Sequence, residues 1–386
     1  MDFGYSKFFS DFEFRASDLV AAMPPSAVKK MNEISCKKES PQYAKMSTAT
    51  AISLGLVQGR MYRGAVNRCV NLLFHYPEGC SANCAYCGLA KKRPGSYEKK
   101  SFIHVDWPIF SIEEILAAIN RAPSYVQRTC ISMITNGKCV KDTLEMTKRL
   151  KKESSLPISI LISPTILRRD DLSAFKKAGA EKIGVALDLA TPELFEEYRG
   201  AGVSGPHMWP KYWETLRDAL EVFGKPHVGA HLMVGMGETE EEMVSLMQKL
   251  WDMGVANHLF SFFAEKGSAM SGWPQPPWPV YLRVQLARYL IEETMSSHDR
   301  MHFDENGSII DFGLDVDTLF ETIDLGKPFM TTGCVCSEGH VACNRPFGNC
   351  LPDDKQWNYP YPPNEDEIAL IQDHIFRIDL AKNTLT

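Results

Sequence analysis

Hydrophobic residues along this chain fall into short runs that are separated by longer amphipathic stretches. Six such runs are rich in β-branched residues, and apolar positions at helical spacing follow each of them. Within the runs the apolar residues are continuous rather than alternating, which indicates strands that are buried on both faces. The runs are residues 68–75, 129–135, 157–163, 182–188, 227–235 and 257–264. The pattern therefore predicts six strand–helix units.

Six consecutive strand–helix units imply parallel strands joined by right-handed crossovers, so the fold class is α/β. Helix starts support this assignment, since Ser111 with Glu114 and Thr239 with Glu242 have the spacing of a capping box. A closed barrel of this kind has eight units, and we therefore expect an open partial (β/α)6 barrel of the TIM type. Its functional edge should lie where the strands end and the following loops begin.

The rest of the chain lies on either side of this barrel. We expect three regions: a lead-in over 1–66, the barrel over 67–300 and a C-terminal part over 301–386. The lead-in should be mostly helical, with apolar residues at helical spacing in Asp18–Met31 and Thr48–Val57. In the C-terminal part, Asn306 and Gly307 between two alternating runs predict a hairpin, and a final helix is expected over Glu365–Ile375.

Composition narrows the function classes. The chain has 386 residues and a net charge of −6, and no long block of Lys or Arg, which argues against a nucleic-acid or anionic-membrane partner. No apolar run reaches the roughly 18 residues of a membrane span. The N-terminus does not resemble a secretion signal, so we expect a cytoplasmic protein. Its 11 cysteines are then thiols, and their local clustering favours metal ligands over disulfides.

Three of these cysteines, Cys80, Cys84 and Cys87, lie within eight residues on the loop after the first strand. A short loop can bring three sulfurs to one centre, and three thiolates can bind three irons of a cubane cluster while the fourth iron stays open. A structural zinc site is the alternative, but it needs a fourth ligand, for which His75 at the end of the strand is poorly placed. The spacing predicts a metal centre on this loop.

Cys-x3-Cys-x2-Cys with Tyr86 just before the last cysteine, on this loop of a partial barrel, resembles the radical S-adenosylmethionine superfamily. The resemblance extends over about residues 65–300. It implies a [4Fe–4S] cluster whose open iron is chelated by S-adenosylmethionine. Reductive cleavage of that cofactor then gives a 5′-deoxyadenosyl radical, which the protein positions and shields.

The same resemblance implies contacts to S-adenosylmethionine from the ends of the barrel strands. Residues 231–242 resemble the fifth-strand segment whose backbone follows the adenine. Asp188 ends the fourth strand, where biotin-synthase-like members bond the ribose hydroxyls. Two alternatives stay open, since Asp188 also suits a helix N-cap and Asn136-Gly137 also suits a turn. The expected contacts are Tyr86, Asn136, Gly137, Asp188, Met233 and Val234.

A second group of cysteines lies in residues 331–363, a stretch with too little large apolar material to hold itself together. A metal centre would organise it, and four thiolates suit either zinc or an iron–sulfur cluster. We favour a second iron–sulfur cluster, of the [4Fe–4S] type. Its candidate ligands are Cys334, Cys336, Cys343 and Cys350. Cys69 and Cys130, at strand starts, are expected to be small core residues, and the absence of cysteine from the third and fourth strands argues against a cluster inside the barrel.

Three C-terminal sequence segments most resemble those of the two-component archaeal-type lipoyl synthases. They are Thr331-Thr332-Gly333-Cys334, Cys343-Asn344-Arg345-Pro346-Phe347 and Asn358-Tyr359-Pro360. This implies sulfur insertion into an octanoyl chain on a lipoyl carrier protein, with sulfide supplied by the auxiliary cluster. The implied partners are the octanoylated carrier protein, a second radical S-adenosylmethionine component and a flavodoxin- or ferredoxin-type reductant. Two alternatives stay open: a second cluster that only relays electrons, and a radical mutase or maturation protein with structural zinc.

Overall fold

All six predicted strands are present, and they lie side by side in one sheet. The computed structural model describes residues 38–336, 338–343, 345–348, 350–353 and 355–377. The helix expected at Asp18–Met31 lies outside these residues. Within them the strands are β1 (Tyr43–Met46), β2 (Cys69–Leu73), β3 (Ile109–Ser111), β4 (Arg128–Ser132), β5 (Ile158–Ile162), β6 (Ala180–Asp188), β7 (Val228–Val234), β8 (Ala256–Ser261), β9 (His302–Phe303) and β10 (Ile309–Asp311).

The main sheet has eight strands in the order β3-β1-β2-β4-β5-β6-β7-β8. The six from β2 to β8 run parallel to their neighbours, whereas β1 pairs antiparallel with β2 and with β3. Strands β3 and β8 form the two edges of the described sheet. This confirms the α/β class and the open partial (β/α)6 barrel of the TIM type.

Helices connect the parallel strands and cover the sheet. They are α1 (Thr48–Ser53), α2 (Ile112–Ile119), α3 (Cys139–Glu153), α4 (Arg169–Ala178), α5 (Pro192–Tyr198), α6 (Trp209–Phe223), α7 (Glu240–Met253), α8 (Trp278–Glu292), α9 (Val316–Asp324) and α10 (Glu365–Ile375). Both predicted capping boxes are formed, at Ser111 and at Thr239. None of these helices is long and apolar enough to cross a membrane.

Strand β1 lies in the lead-in that was expected to be mostly helical. Its four residues include Lys45, which is fully buried and therefore obscures the apolar pattern. The Lys45 ammonium donates to the carbonyls of Tyr97 and Glu98, each at 2.9 Å, and burial lowers the pKa of Lys45 to about 8. A buried cation that is satisfied by carbonyl groups gives no signal in the sequence.

The C-terminal part packs against the barrel through a buried ion pair. Arg283 of α8 donates to Glu240 at the start of α7 and to the carbonyl of Ile375, which ends α10, at 3.0 Å. Oε2 of Glu240, which accepts from Arg283 Nε, also accepts the backbone N–H of Ile309 in β10 at 2.9 Å. The hairpin predicted at Asn306-Gly307 is formed by β9 and β10, although its turn is longer than two residues. The described residues from Glu39 onward belong to one compact unit.

Candidate functional site

A cavity of about 220 Å³ lies at the carboxyl ends of the parallel strands, where the functional edge was expected. Leu73, Ser132, Leu161, Asp188 and Met233 line it, and these residues come from five successive parallel strands. The thiol groups of all three loop cysteines, Cys80, Cys84 and Cys87, belong to its wall as well. The fold therefore brings the three predicted ligands to one open space. His75 does not line this cavity.

The loop that carries these thiols is fixed by backbone contacts. The Ser81 amide and hydroxyl both donate to the carbonyl of Thr135, each at 2.8 Å, just beyond β4. The amide of Ala85 donates to the carbonyl of Tyr198 at the end of α5 at 2.8 Å. Gly88, directly after Cys87, lies so close to the Ser101 carbonyl that a Cβ would approach it to 2.4 Å. The segment after β4, the end of α5 and the loop at Ser101 thus set the position of the cysteine loop.

The side chains expected to contact S-adenosylmethionine divide into two groups. Tyr86, Asp188 and Met233 line the cavity with the three thiols. Val234 lies one position beyond Met233, where its carbonyl accepts the amide of Phe262 at 2.7 Å. Asn136 and Gly137 are outside the lining residues.

Asn136, four residues beyond the end of β4, supports the cysteine loop. Its Nδ2 donates to the carbonyl of Gly79 at 3.0 Å, and its Oδ1 accepts the Lys138 amide at 3.0 Å. The first bond holds the residue that precedes Cys80, and the second is the turn that the sequence left open as an alternative for Asn136-Gly137. In this structure Asn136 therefore acts through the loop and not through the cavity.

Asp188 is part of a buried charge network on the cavity wall. Its Oδ2 accepts the Tyr86 hydroxyl at 2.6 Å and an Arg199 N–H at 2.5 Å. Its backbone has a φ of +66°, and the N-cap of α5 is Thr191, so Asp188 is not a helix cap. Arg199 also lines the cavity. Arg199 could not be recognised as a cavity residue from the sequence, because a single arginine at a helix end belongs to no motif.

Much of the remaining cavity wall is apolar. Phe260, Phe262 and Phe263 follow one another at the end of β8, and all three line the space. On the opposite side the turn that carries Ile103 reaches the cavity and is held by Glu265, whose Oε2 accepts the His104 amide at 2.9 Å. Ile103 and His104 both have a positive φ, 54° and 59°. An apolar group placed next to the three thiols would therefore be shielded from water on several sides.

The second group of cysteines is assembled differently from the expected set. Cys334 and Cys343 line a second, smaller cavity of about 40 Å³, and Cys130 of β4 lines the same space. The nearby thiols of Cys130 and Cys69 hold the pKa of Cys343 well below its usual value. Cys69 and Cys130, expected to be plain core residues, thus lie near the C-terminal segment.

Cys336 and Cys350 lie apart from this cavity. The Cys336 amide donates to the carbonyl of His340 at 2.8 Å in a local turn, and the Cys350 thiol donates to Oε1 of Gln356 at 3.4 Å. Both thiols are buried, and neither lines the second cavity. Of the four C-terminal cysteines, the structure brings together Cys334 and Cys343.

The two cavities share a wall inside the barrel. His231 of β7 and Phe260 of β8 line both, as does Arg345, which follows Cys343 by two residues. The Arg345 guanidinium lies 5.9 Å from the ring centres of both Phe102 and Trp107, and no carboxylate of the described residues pairs with it. Desolvation lowers the pKa of Arg345, while the thiol of Cys343 acts in the opposite direction.

The donor set of the first cavity fits a [4Fe–4S] cluster and S-adenosylmethionine. A cubane takes each thiolate on a different iron, so three thiols that face one space suit it. Burial raises the pKa of Cys84 to about 11, and a bound cationic centre would favour its ionisation. No group of three or more histidine, cysteine or acidic side chains in the described ranges is placed to hold a single metal ion.

A partial barrel with three thiols facing an apolar cavity at its strand ends defines a class of enzymes that depend on a metal cluster. Residues 75–250 match the family model described as the radical SAM superfamily, so this part of the chain is a radical SAM domain. The predicted radical SAM domain is confirmed. It implies an enzyme that uses S-adenosylmethionine and a [4Fe–4S] cluster.

Several solved structures are similar to the chain at low identity. Methylornithine synthase (PylB) is 13% identical over 72% of this chain and 72% of its own, with a TM-score of 0.47. HydG, a maturase of the [FeFe]-hydrogenase, is 13% identical over 59% and 51%, with a TM-score of 0.46. The methyltransferase TsrM from Kitasatospora setae is 13% identical over 80% and 59%, with a TM-score of 0.40. No curated protein matches the chain.

Proposed function

We propose that this enzyme inserts sulfur into the octanoyl chain of a lipoyl carrier protein, as a component of a lipoyl synthase. The proposal rests on the C-terminal sequence resemblance together with one structural observation. That observation is the position of the second thiol group, which adjoins the cavity of the first across a shared wall.

The shared wall matters because sulfur insertion needs two centres close to one carbon atom. Six residues line both cavities, and these are Ser132, Leu161, His231, Phe260, Arg345 and Gly348. A substrate carbon in the first cavity would therefore be separated from the second thiol group by a single layer of side chains. This arrangement suits a reaction in which the second centre supplies an atom.

The walls of the first cavity suit an alkyl chain. Its apolar surface comes from Phe260 of β8, from Phe262 and Phe263 just after that strand, and from Ile103, Met133 and Ile134. An uncharged octanoyl chain would gain about 0.8 kcal/mol for each methylene that it buries there. A closed apolar space also protects a carbon radical from water.

When bound, the cofactors would supply a 5′-deoxyadenosyl radical that takes a hydrogen atom from the chain and a sulfide that forms the new carbon–sulfur bond. The chain's own residues have separate roles. Cys80, Cys84 and Cys87 would hold the first cluster, and Tyr86, Asp188 and Met233 would contact S-adenosylmethionine. A second component of the same superfamily would perform the other insertion, and a flavodoxin- or ferredoxin-type protein would supply electrons.

The test is anaerobic incubation of the reconstituted enzyme with S-adenosylmethionine, a reductant and an octanoylated lysine peptide, followed by mass spectrometry. We expect 5′-deoxyadenosine and a peptide that has gained sulfur. Cys84→Ala should abolish both products, because the first cluster loses one of its three protein ligands. Cys139→Ala is the matched control, since the Cys139 thiol is fully buried and lines neither cavity.

Two results would contradict the proposal. 5′-Deoxyadenosine with no sulfur in the peptide would mean that the octanoyl chain is not the acceptor. Sulfide content that stays constant through turnover would instead identify the second centre as an electron relay, because a sulfur donor must be consumed.

A further inference from the structure

We infer that the second iron–sulfur cluster is bound inside the barrel by Cys69, Cys130, Cys334 and Cys343. The inference deepens the proposed function, since it names the residues that hold the sulfur source. It replaces the set of four C-terminal cysteines that the sequence suggested. Two of its ligands come from neighbouring barrel strands and two from the C-terminal segment.

The four thiols converge inside the barrel. Cys130, Cys334 and Cys343 line one cavity, and the Cys343 amide donates to the carbonyl of Cys334 at 2.9 Å. Cys69 lies close enough to Cys343 to affect its pKa. Strands β2 and β4 are adjacent and parallel, with Asn71 opposite Cys130, so Cys69 and Cys130 are close neighbours across the pair. Four thiols from three stretches of chain therefore lie near one place, and four is the number that a complete cluster requires.

The wall around these thiols is polar. Core thiols normally pack among apolar side chains. Here Asn71 donates from its Nδ2 to the Cys343 sulfur at 3.9 Å, and Ser159 lines the same cavity as Cys334. Gly184 and His231 complete this layer of the barrel interior. Amide and hydroxyl groups around thiols are the environment of a ligand set rather than of a hydrophobic core.

Positive charge lies near the four thiols. Arg128 and Lys182 act electrostatically on Cys334, and Arg345 acts on Cys343 and on Cys130. Arg128 is only 1% exposed, and within the described residues its Nε has no hydrogen-bond partner. Its terminal nitrogens donate to the carbonyl of Val335, beside Cys334, at 3.0 Å and to Oε1 of Glu181 at 2.8 Å, so Glu181 balances part of its charge. Buried cations near four thiols would balance the negative charge of a thiolate-bound cluster, since charges interact strongly at low dielectric constant.

Within the described residues, the four thiols do not enclose a point suited to a single metal ion. A cluster places each thiolate on its own iron and so holds the sulfurs apart. Cys334 and Cys343 belong to a segment with little regular structure, whereas Cys69 and Cys130 lie on strands of the central sheet. The thiols of Cys69 and Cys130 therefore form the half of the site whose position the sheet fixes.

The experiment compares two double variants after anaerobic reconstitution with iron and sulfide. One is Cys69→Ala/Cys130→Ala, and its matched control is Cys336→Ala/Cys350→Ala, which also removes two buried thiols. Iron, sulfide and zinc are measured for each chain, and Mössbauer spectra are recorded. We expect about eight irons in the wild-type protein and in the control, and about four in the Cys69→Ala/Cys130→Ala variant. The four that stay with the first cluster, together with an unchanged circular dichroism spectrum, show that the variant is folded.

Three results would overturn the inference: about four irons in the wild type, zinc in place of the second cluster, or loss of iron in the control while the strand variant keeps eight. None of these measurements uses the substrate, so they fail independently of the proposed function. Wild-type protein that binds eight irons but leaves the octanoyl peptide unchanged would refute only the function. Sulfur transfer by the strand variant would refute only the ligand set.

Discussion

Replacement of Asp188 by Asn removes the negative charge from the network on the cavity wall. Asn tolerates the left-handed backbone conformation of this position better than most residues, so the change tests the charge and not the backbone. The carboxylate now pairs with Arg199, and the two side chains are only 14% and 8% exposed. In the variant the guanidinium of Arg199 keeps its bond to the carbonyl of Ala186 but loses its counter-charge.

The size of the effect follows from this burial. Breaking a buried ion pair by removing one partner costs about 3–5 kcal/mol. The amide oxygen of Asn can still accept one hydrogen bond, so we expect a loss of about 2–3 kcal/mol. Unfolding entropy of about 2.1 cal/mol/K per residue gives roughly 0.8 kcal/mol/K for 386 residues. The melting temperature should therefore fall by about 3–4 °C.

Thermal unfolding of anaerobic protein, followed by circular dichroism, measures this shift. Glu113→Gln is the control, because it also removes a carboxylate from an arginine, but the Glu113 side chain is 64% exposed. A surface pair contributes little, so the control should melt within about 1 °C of the wild type. An Asp188→Asn variant that melts as high as the control would refute the assignment of Asp188 and Arg199 as a buried pair.

Two further predictions concern groups outside the thiol sites. Glu240→Gln should destabilise the protein by about 3 kcal/mol, because Arg283 stays buried without its counter-charge. Urea unfolding measures this loss. The control is Glu242→Gln, at an exposed capping box, which should cost less than half as much. Burial raises the pKa of Glu238 to about 7, above its ordinary 4.5, so its contribution to stability is complete below about pH 4.5 and is lost as the pH rises to about 7. The stability difference between wild type and Glu238→Gln should accordingly shrink from pH 5 to pH 7.5. We expect a change of about 1–2 kcal/mol, because the side chain keeps some contact with water and the full effect of burial is reduced. A stability difference that does not change with pH would contradict this.

The sequence predicted the elements whose signal is local. Each of the six parallel strands lies within two residues of its predicted start, because continuous apolar runs between capped helices have few alternatives. The final helix over Glu365–Ile375 is observed with the same bounds. Strand β1 was missed, because a strand of four residues that buries a lysine has the composition of a loop.

The first cysteine group was predictable for a similar reason, since its three ligands share one loop. The family resemblance implied that Asp188 and Met233 contact S-adenosylmethionine, and both line the cavity. Arg199 and Arg345 reach the same space from a helix end and from the C-terminal segment. Their positions depend on how distant parts of the chain pack together, which no local pattern records.

The second cysteine group shows what a local pattern can conceal. Four cysteines within 17 residues suggest that one segment supplies a complete set of metal ligands. The inward-facing positions of the barrel strands indicate a different arrangement. Asn71, Cys130, Ser159, Gly184 and His231 lie one on each of five successive strands, and all line the second cavity. Side chains that are small or polar at one level of a barrel leave that level unfilled by hydrophobic packing, so another part of the chain must fill it. Cys334, Cys343 and Arg345 fill this level of the barrel here. The thiol of Cys130 lies at the same level and is available to a metal centre bound by the two C-terminal thiols.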